Sequence, residues 1–224
     1  GEKIEGLGEH EIDYPTDDMW VDEYSRTKSM AERMVLDANN GDRLRTCCIR
    51  PAAIWGFGEE RHFARVVQVI DAGLFCFRFG GSPIVDFVHV SNLVQAFLLA
   101  GLRLKKRDEA VAGQVFFVSD GRPQDNFWFF SQLKAAKGRG GVETLWRVPY
   151  RVVYLMAVIF ELLHRLVGMR WRPWMLTRAE VMKAGVTHYV SIDRARRHLG
   201  YEPQLFSFGE VIEQWVESRK KKLD

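Results

Sequence analysis

The chain has 224 residues, 47% hydrophobic and 27% charged, with a net charge of +3. That suits a soluble fold with a sizeable core, as one large domain or one domain plus a lobe. The small excess of positive charge is scattered through Arg170–Arg172, Arg194–Arg197 and Arg219–Lys222, which excludes the contiguous basic surface of a nucleic-acid binder. Cys47, Cys48 and Cys76 form neither a disulfide framework nor, with the histidines, a metal-ligand spacing. A reducing, intracellular setting follows: the cytoplasm, or the cytoplasmic face of a membrane such as the endoplasmic reticulum.

In chain order, the polar stretch Gly1–Asp17 reads as a loop, and its composition is neither that of a signal peptide nor of a transit peptide. With Gly1 in first place, the chain is expected to begin inside a longer product. A helix follows to about Ala38, with Tyr24, Lys28, Ala31 and Val35 on one stripe, stopped by Asn39-Asn40-Gly41. Leu44–Ile49 reads as a strand buried on both faces. A helix with Phe63, Val66, Val67 and Ile70 on one side comes next. Phe75, Phe77 and Phe79 alternate, Gly80-Gly81-Ser82-Pro83 turns the chain, and Ile84–Val88 is extended, so the pair predicts a hairpin. Leu93, Ala96, Phe97 and Ala100 mark a helix capped by Ser91, and Val115–Val118 is a buried strand.

Alternating strands and helices over residues 1–135 predict a parallel α/β sheet; residues 136–224 are mainly helical. Thr177 to Glu180 and Ser207 to Glu210 fit capping boxes, and the last helix places Val211, Ile212, Trp215 and Val216 together. The apolar run Val152–Phe160 is too short to span a bilayer, which takes about 20 residues. It reads as a core or interfacial helix. The adjoining Arg170-Trp171-Arg172-Pro173-Trp174 leaves peripheral membrane contact through residues 149–174 open.

The chemistry centres on Tyr24-Ser25-Arg26-Thr27-Lys28, where the spacing puts a phenol and an ammonium on one helix face. A cation held beside a phenol favours the phenolate, so such a tyrosine can exchange a proton with an alcohol or carbonyl oxygen near neutral pH. Alone, the pair also fits an ordinary surface contact. The context adds Arg50-Pro51-Ala52-Ala53-Ile54-Trp55-Gly56 after a buried strand, the position where open α/β sheets bind ligands.

With Phe87-Val88-His89-Val90, Ser119-Asp120-Gly121-Arg122-Pro123 and Leu199-Gly200-Tyr201, these segments resemble, in order and spacing, the extended short-chain dehydrogenase/reductases. Within them the chain is most similar to the 3-beta-hydroxysteroid dehydrogenase branch and its family 42E members. The resemblance covers nearly the whole chain. It implies the carboxyl-terminal half of a Rossmann-type sheet (1–135) with a helical substrate lobe (136–224). It also implies an NAD-dependent oxidoreductase, NADP remaining open, that acts on a hydroxyl group of a steroid or similar apolar alcohol. Carried over by motif, Tyr24 is the acid/base, and Lys28 polarises it and holds the nicotinamide ribose. Pro51, Ala52, Ala53 and Ile54 form the loop beside the nicotinamide. His89 reads as structural, and Ser91 and Asn92 receive no role.

The sequence contains no glycine-rich pyrophosphate turn in register. By the resemblance, the third catalytic group, a serine or threonine, lies upstream, and Ser25 and Thr27 do not replace it. Two other readings stay open. One is a truncated chain acting only by association, a homodimer included. The other is a sugar-nucleotide epimerase or dehydratase of the same fold.

Overall fold

The computed structural model describes residues 3–16, 20, 23–41, 43–167 and 177–220. Strand β1 (Ile4–Leu7) leads to helix α1 (Glu23–Asp37), then β2 (Cys48–Pro51), β3 (Ala53–Trp55), α2 (His62–Asp71), β4 (Phe77–Arg78), β5 (Ile84–Val85) and β6 (Phe87–His89). Helix α3 (Val90–Lys105), β7 (Val115–Val118), β8 (Gln124–Asp125) and α4 (Asn126–Ala136) follow. The remainder is β9 (Trp146–Arg147), α5 (Tyr150–Val167), α6 (Arg178–Gly185), β10 (His188–Val190), a π-helical turn at Ala195–Leu199, and α7 (Phe208–Lys220).

The expected parallel α/β architecture is present. Strand β2 pairs with β7 and β3 with β6, both in parallel, so the extended segment 48–55 changes partner at Ala52. Strand β10 lies between β1 and β5, parallel to each; among the described residues only β5 with β8 is antiparallel. A strand from the carboxyl-terminal region thus completes a sheet begun near the amino terminus.

Three apolar clusters hold these layers. Trp55, Phe63, Phe87, Phe129, Ile212 and Trp215 knit α2, α4 and α7 onto β3 and β6. Val88, Ala96, Phe116, Val118, Leu199 and Tyr201 fill the space under α3. Phe79, Phe127, Val153, Ala157 and Val181 join α5 and α6. Burial of aromatic and aliphatic surface on this scale is the main term favouring the fold. Two buried donors fasten loops to the core: Tyr201 Oη donates to the Ser119 carbonyl (2.9 Å) and Trp215 Nε1 to the Glu59 carbonyl (2.6 Å).

The expected hairpin over residues 75–88 does not form. Instead β4 pairs in parallel with β9, and β5 joins β10 and β8. The glycines have a different purpose. A Cβ at Gly80 would stand 2.0 Å from the Gly185 carbonyl, and one at Gly185 would stand 2.6 Å from the Phe79 ring. They allow the turn to press against the end of α6.

Residues 44–47 are not strand. Asn40 Oδ1 accepts the Arg43 and Leu44 amides and Asn39 Oδ1 the Thr46 amide, so side chains hold a loop until Cys48. The strand that follows is half-buried. Helix α3 is capped by His89 rather than Ser91: its Nδ1 accepts the Ser91 amide. Thr177 and Ser207 do cap α6 and α7 through the Glu180 and Glu210 amides.

Helix α5 buries one stripe, Val153 and Ala157, yet leaves Leu155, Ile159, Phe160, Leu162, Leu163 and Leu166 exposed. Among the described residues no helix is long and apolar enough to cross a membrane. The Arg170–Trp174 segment lies outside the described residues.

Candidate active site

The orientation of α1 comes from polar contacts, because none of its residues is buried. Its half-buried residues include Ser25, Ser29, Glu32 and Leu36; the stripe Tyr24, Lys28, Ala31 and Val35 beside them is open. Arg50 on β2 grips Glu32 with both ends of its guanidinium, Nε to Oε2 at 2.9 Å and Nη2 to Oε1 at 2.6 Å. Tyr14 Oη donates to the same carboxylate, and Thr46 Oγ1 donates to the Val35 carbonyl at 2.7 Å. Burial alone would raise the Glu32 carboxyl, but the Arg50 and Tyr14 hydrogen bonds outweigh it and hold it below its ordinary range.

These contacts fix a register. Val35 lies beside Thr46 and Glu32 beside Arg50, so the helix runs antiparallel to β2. Lys28 and Tyr24, one and two turns further back, therefore lie toward Pro51 at the carboxyl end of the strand.

Tyr24 is 64% exposed, and the Lys28 ammonium sits 5.7 Å from the centroid of its ring. The cation is on the ring face, a cation–π arrangement. Thr27 spends its hydroxyl on the Glu23 and Tyr24 carbonyls, both at 3.0 Å, so it offers nothing outward.

Pro51, Ala52, Ala53 and Ile54 line a cavity of about 550 Å³, within the usual range for small-molecule sites. Phe75, Phe77, Phe79, Phe87, Phe127 and Phe129 supply much of its wall. Tyr24 and Lys28 are not part of that wall; the structure brings the loop, not the pair, to the cavity. Gly56 closes the loop at φ +144°, and a Cβ there would meet Val90 Cγ1 at 2.8 Å.

Beneath the loop lies a polar knot that sequence reasoning missed. Asp120 accepts from Trp55 Nε1 (2.8 Å), the His89 amide (2.9 Å) and Asn92 Nδ2 (2.7 Å). Asn92 also exchanges two hydrogen bonds of 2.9 Å with the Gln204 backbone. His89 stacks on Phe206 with ring centroids 3.7 Å apart. Burial holds its imidazole below the usual value, with Asp120 opposing, so the ring is neutral near pH 7. His89 is thus structural, as expected, while Asn92, given no role, ties three segments together. The one available signal was an amide two residues into a helix whose sequence predicts it on the buried side.

Residues 4–141 match the family model described as the 3-beta hydroxysteroid dehydrogenase/isomerase family. The chain belongs to that family. It is 45% identical, over 92% of its length, to short-chain dehydrogenase/reductase family 42E member 1 of Mus musculus, and 44% identical over 98% to that of Danio rerio. A 3-beta-hydroxysteroid dehydrogenase of Mycolicibacterium neoaurum is 34% identical over 88%. The chain spans only 54%, 58% and 52% of those three relatives, about half their length. At the level of fold, a Thermotoga maritima UDP-glucose 4-epimerase solved with UDP-glucose superposes with a TM-score of 0.59 at 22% identity, over all of this chain and 60% of that one. A Bacillus cereus UDP-glucuronic acid 4-epimerase in complex with NAD gives 0.61 at 15% identity, over 98% of this chain and 58% of that one. This extended short-chain dehydrogenase/reductase is therefore an α/β protein of the Rossmann class.

Proposed function

We propose that the chain forms the catalytic carboxyl-terminal part of a nicotinamide-dependent oxidoreductase acting on a hydroxyl group of a steroid or similarly apolar alcohol. One observation carries the reading: the predicted nicotinamide loop, Pro51–Ile54, forms one wall of a phenylalanine-lined cavity. An apolar ring system would bury its surface there while its hydroxyl-bearing carbon faces the loop. NAD is the expected cofactor, with NADP as the alternative; bound beside the loop it would accept the hydride.

In this reading Tyr24 Oη takes the hydroxyl proton. Lys28 stabilises the phenolate form that takes this proton, and it donates to the ribose hydroxyls. Arg50 and Glu32 hold the helix that carries both. The residues present fit the nicotinamide half of a dinucleotide. The pyrophosphate would need a glycine-rich turn, which these 224 residues lack.

The sugar-nucleotide alternative needs cations for a diphosphate, and Arg65 and Lys183 on the cavity wall already have partners. The exposed apolar face of α5 supports a second element of the reading, contact with a membrane surface or with a second copy of the chain.

The test uses the longer protein that contains this chain. Purified protein is assayed for NADH formation with 3-beta-hydroxysteroids and for interconversion of UDP-sugars. NADH formation that disappears in Tyr24→Phe is the expected result. UDP-sugar turnover without steroid oxidation overturns the assignment.

A further inference from the structure

Residues 87–90, 119–123 and 199–201 carry the family likeness but take no part in the chemistry proposed above. In the structure they converge beneath the loop at residues 51–54. The Tyr201 hydroxyl donates to the Ser119 carbonyl at 2.9 Å, and the Ser119 hydroxyl accepts the Gly121 amide at 3.1 Å. Gly121 turns the chain at φ +65°, where a Cβ would meet Ile192 and Arg196 at 3.1 and 3.2 Å. Between them the Asp120 amide donates to the Phe87 carbonyl at 2.8 Å. The turn is held at all three residues, and it aims one carboxylate at the end of the loop.

That loop is not placed by its own side chains. Pro51, Ala53 and Ile54 are exposed, so burial of apolar surface contributes little to its position. It depends on its two ends. At the start, β2 pairs with β7, and the Ala52 amide donates to the Val118 carbonyl at 2.9 Å. At the end stands Trp55, 5% exposed, whose Nε1 donates to Asp120 Oδ2 at 2.8 Å. Asp120 lies two residues beyond Val118, the last residue of β7. One side chain therefore ties the far end of the loop to the strand that fixes its near end.

The carboxylate is itself well anchored. Besides Trp55 it accepts the His89 amide (2.9 Å) and Asn92 Nδ2 (2.7 Å), so β6 and α3 hold it as well. The indole packs edge-on or tilted against His89, Phe129 and Phe208, with ring centroids 4.8, 5.9 and 5.0 Å away. Apolar burial is non-directional, whereas a hydrogen bond to a carboxylate has a preferred line, and a buried indole N–H left without an acceptor is costly. The bond to Asp120 therefore decides which way the ring lies and, with it, where residue 54 ends.

We propose that Asp120 is a positioning residue for the cofactor: through the indole of Trp55 it holds loop 51–54 where the nicotinamide ring rests against it. Asp120 is not part of the cavity wall, whereas Trp55 and the loop are. The inference rests on the reading of that loop as the nicotinamide's support, and it gives the three converging segments one purpose. It also confines the effect. Loosening this bond moves the surface beside the nicotinamide and leaves the adenosine half of a dinucleotide untouched.

The experiment uses the longer protein and measures, by calorimetry, the binding of NADH and of ADP-ribose, which lacks the nicotinamide; NADPH and 2′-phospho-ADP-ribose replace them where the protein prefers the phosphorylated pair. Asp120→Asn removes the charge that the indole N–H meets. Trp55→Phe keeps an aromatic ring and removes the N–H. Each is expected to weaken NADH about tenfold, the scale of one hydrogen bond to a charged group, and to leave ADP-ribose as in wild type. Combining the two adds little, since both cut the same bond. Asn92→Ala takes a different donor from the same carboxylate; it should lower the melting temperature and keep the wild-type ratio of NADH to ADP-ribose affinity. A wild-type ratio in folded Asp120→Asn and Trp55→Phe proteins, or a ratio moved as far by Asn92→Ala, overturns the inference and leaves the loop's role standing. A wild-type protein that binds neither NADH nor NADPH overturns both.

Discussion

Replacing Arg50 with methionine tests what orients α1. The substitution removes both hydrogen bonds from Glu32 and strands its carboxylate, while the apolar stem of the side chain is conserved. Losing one partner of a fully buried ion pair costs about 3–5 kcal/mol. Here the two side chains keep 23% and 14% of their exposure, and Tyr14 still donates to Glu32. Solvent screening and that remaining bond bring the expected cost down to about 2 kcal/mol. Urea unfolding followed by tryptophan fluorescence measures it, with an unchanged m-value showing that the folded state is as compact as before.

The pH dependence has a definite sign. The Glu32 carboxyl is lowered in the folded state from 4.5. Its stabilising contribution is therefore fully present above that value and is lost as pH falls through the lower, folded one. The gap between wild type and Arg50→Met should narrow in acid. Adding Glu32→Gln should recover part of the loss, since no bare charge then remains. A cost below about 0.5 kcal/mol, or a gap that widens in acid, would refute the view that this pair anchors the helix.

Four further outcomes are expected. Tyr24→Phe in the longer protein should lower kcat by at least about a hundredfold with stability nearly unchanged, because an exposed hydroxyl is all that is lost; turnover at the wild-type rate would remove Tyr24 from the mechanism. Lys28→Met should shift the pH–rate profile upward and weaken cofactor affinity together, and a profile and affinity both unmoved would reduce Lys28 to a surface residue. Burial raises the Asp86 carboxyl from 3.8 to about 6, so wild-type stability falls as pH rises across that window; Asp86→Asn should gain about 2 kcal/mol on wild type between pH 4 and 7, and a flat difference would show that Asp86 is not desolvated. The isolated 224-residue chain should bind NAD no better than millimolar, about −4 kcal/mol, and a low-micromolar constant by calorimetry would reveal a cofactor site these residues do not suggest.

Much of this was legible in the sequence because the signals were local. The Val115–Val118 strand, the caps at Thr177 and Ser207, and the buried face of α7 each depend on neighbours within a few residues. The misses at residues 44–47 and at the cap of α3 were local, made by the Asn39, Asn40 and His89 side chains, and the others were long-range, including β1 inside the expected loop Gly1–Asp17, which pairs with β10. Phe77 finds its strand partner at Trp146 and Val85 at His188, separations no periodicity announces, so a glycine-rich turn between two extended runs read as a hairpin. Asp120 stood within a recognised motif, yet its three donors come from β3, β6 and α3. Its role exists only once the sheet has assembled. Asp86 was invisible for the same reason: a lone carboxylate in an apolar run looks like a solvated interruption until the fold buries it.

The same distinction separates the two halves of the proposed site. The cavity is made by packing, with aromatic rings from α2, α4 and the β4 region converging on β3 and β6, and it will tolerate changes that conserve volume. The Tyr24–Lys28 face has no such support, since α1 buries none of its residues in the described structure. Its direction is set by the Glu32 carboxylate with the groups that hold it and by the Thr46 hydroxyl on the Val35 carbonyl. Arg50, which grips that carboxylate, is also the residue before Pro51, so its guanidinium links the helix to the start of the loop from a strand that β7 fixes along its whole length. A substitution at Arg50 should therefore act on catalysis through the angle between Tyr24 and the Pro51 loop, lowering kcat more than it raises KM. Substitutions among the cavity phenylalanines should do the reverse.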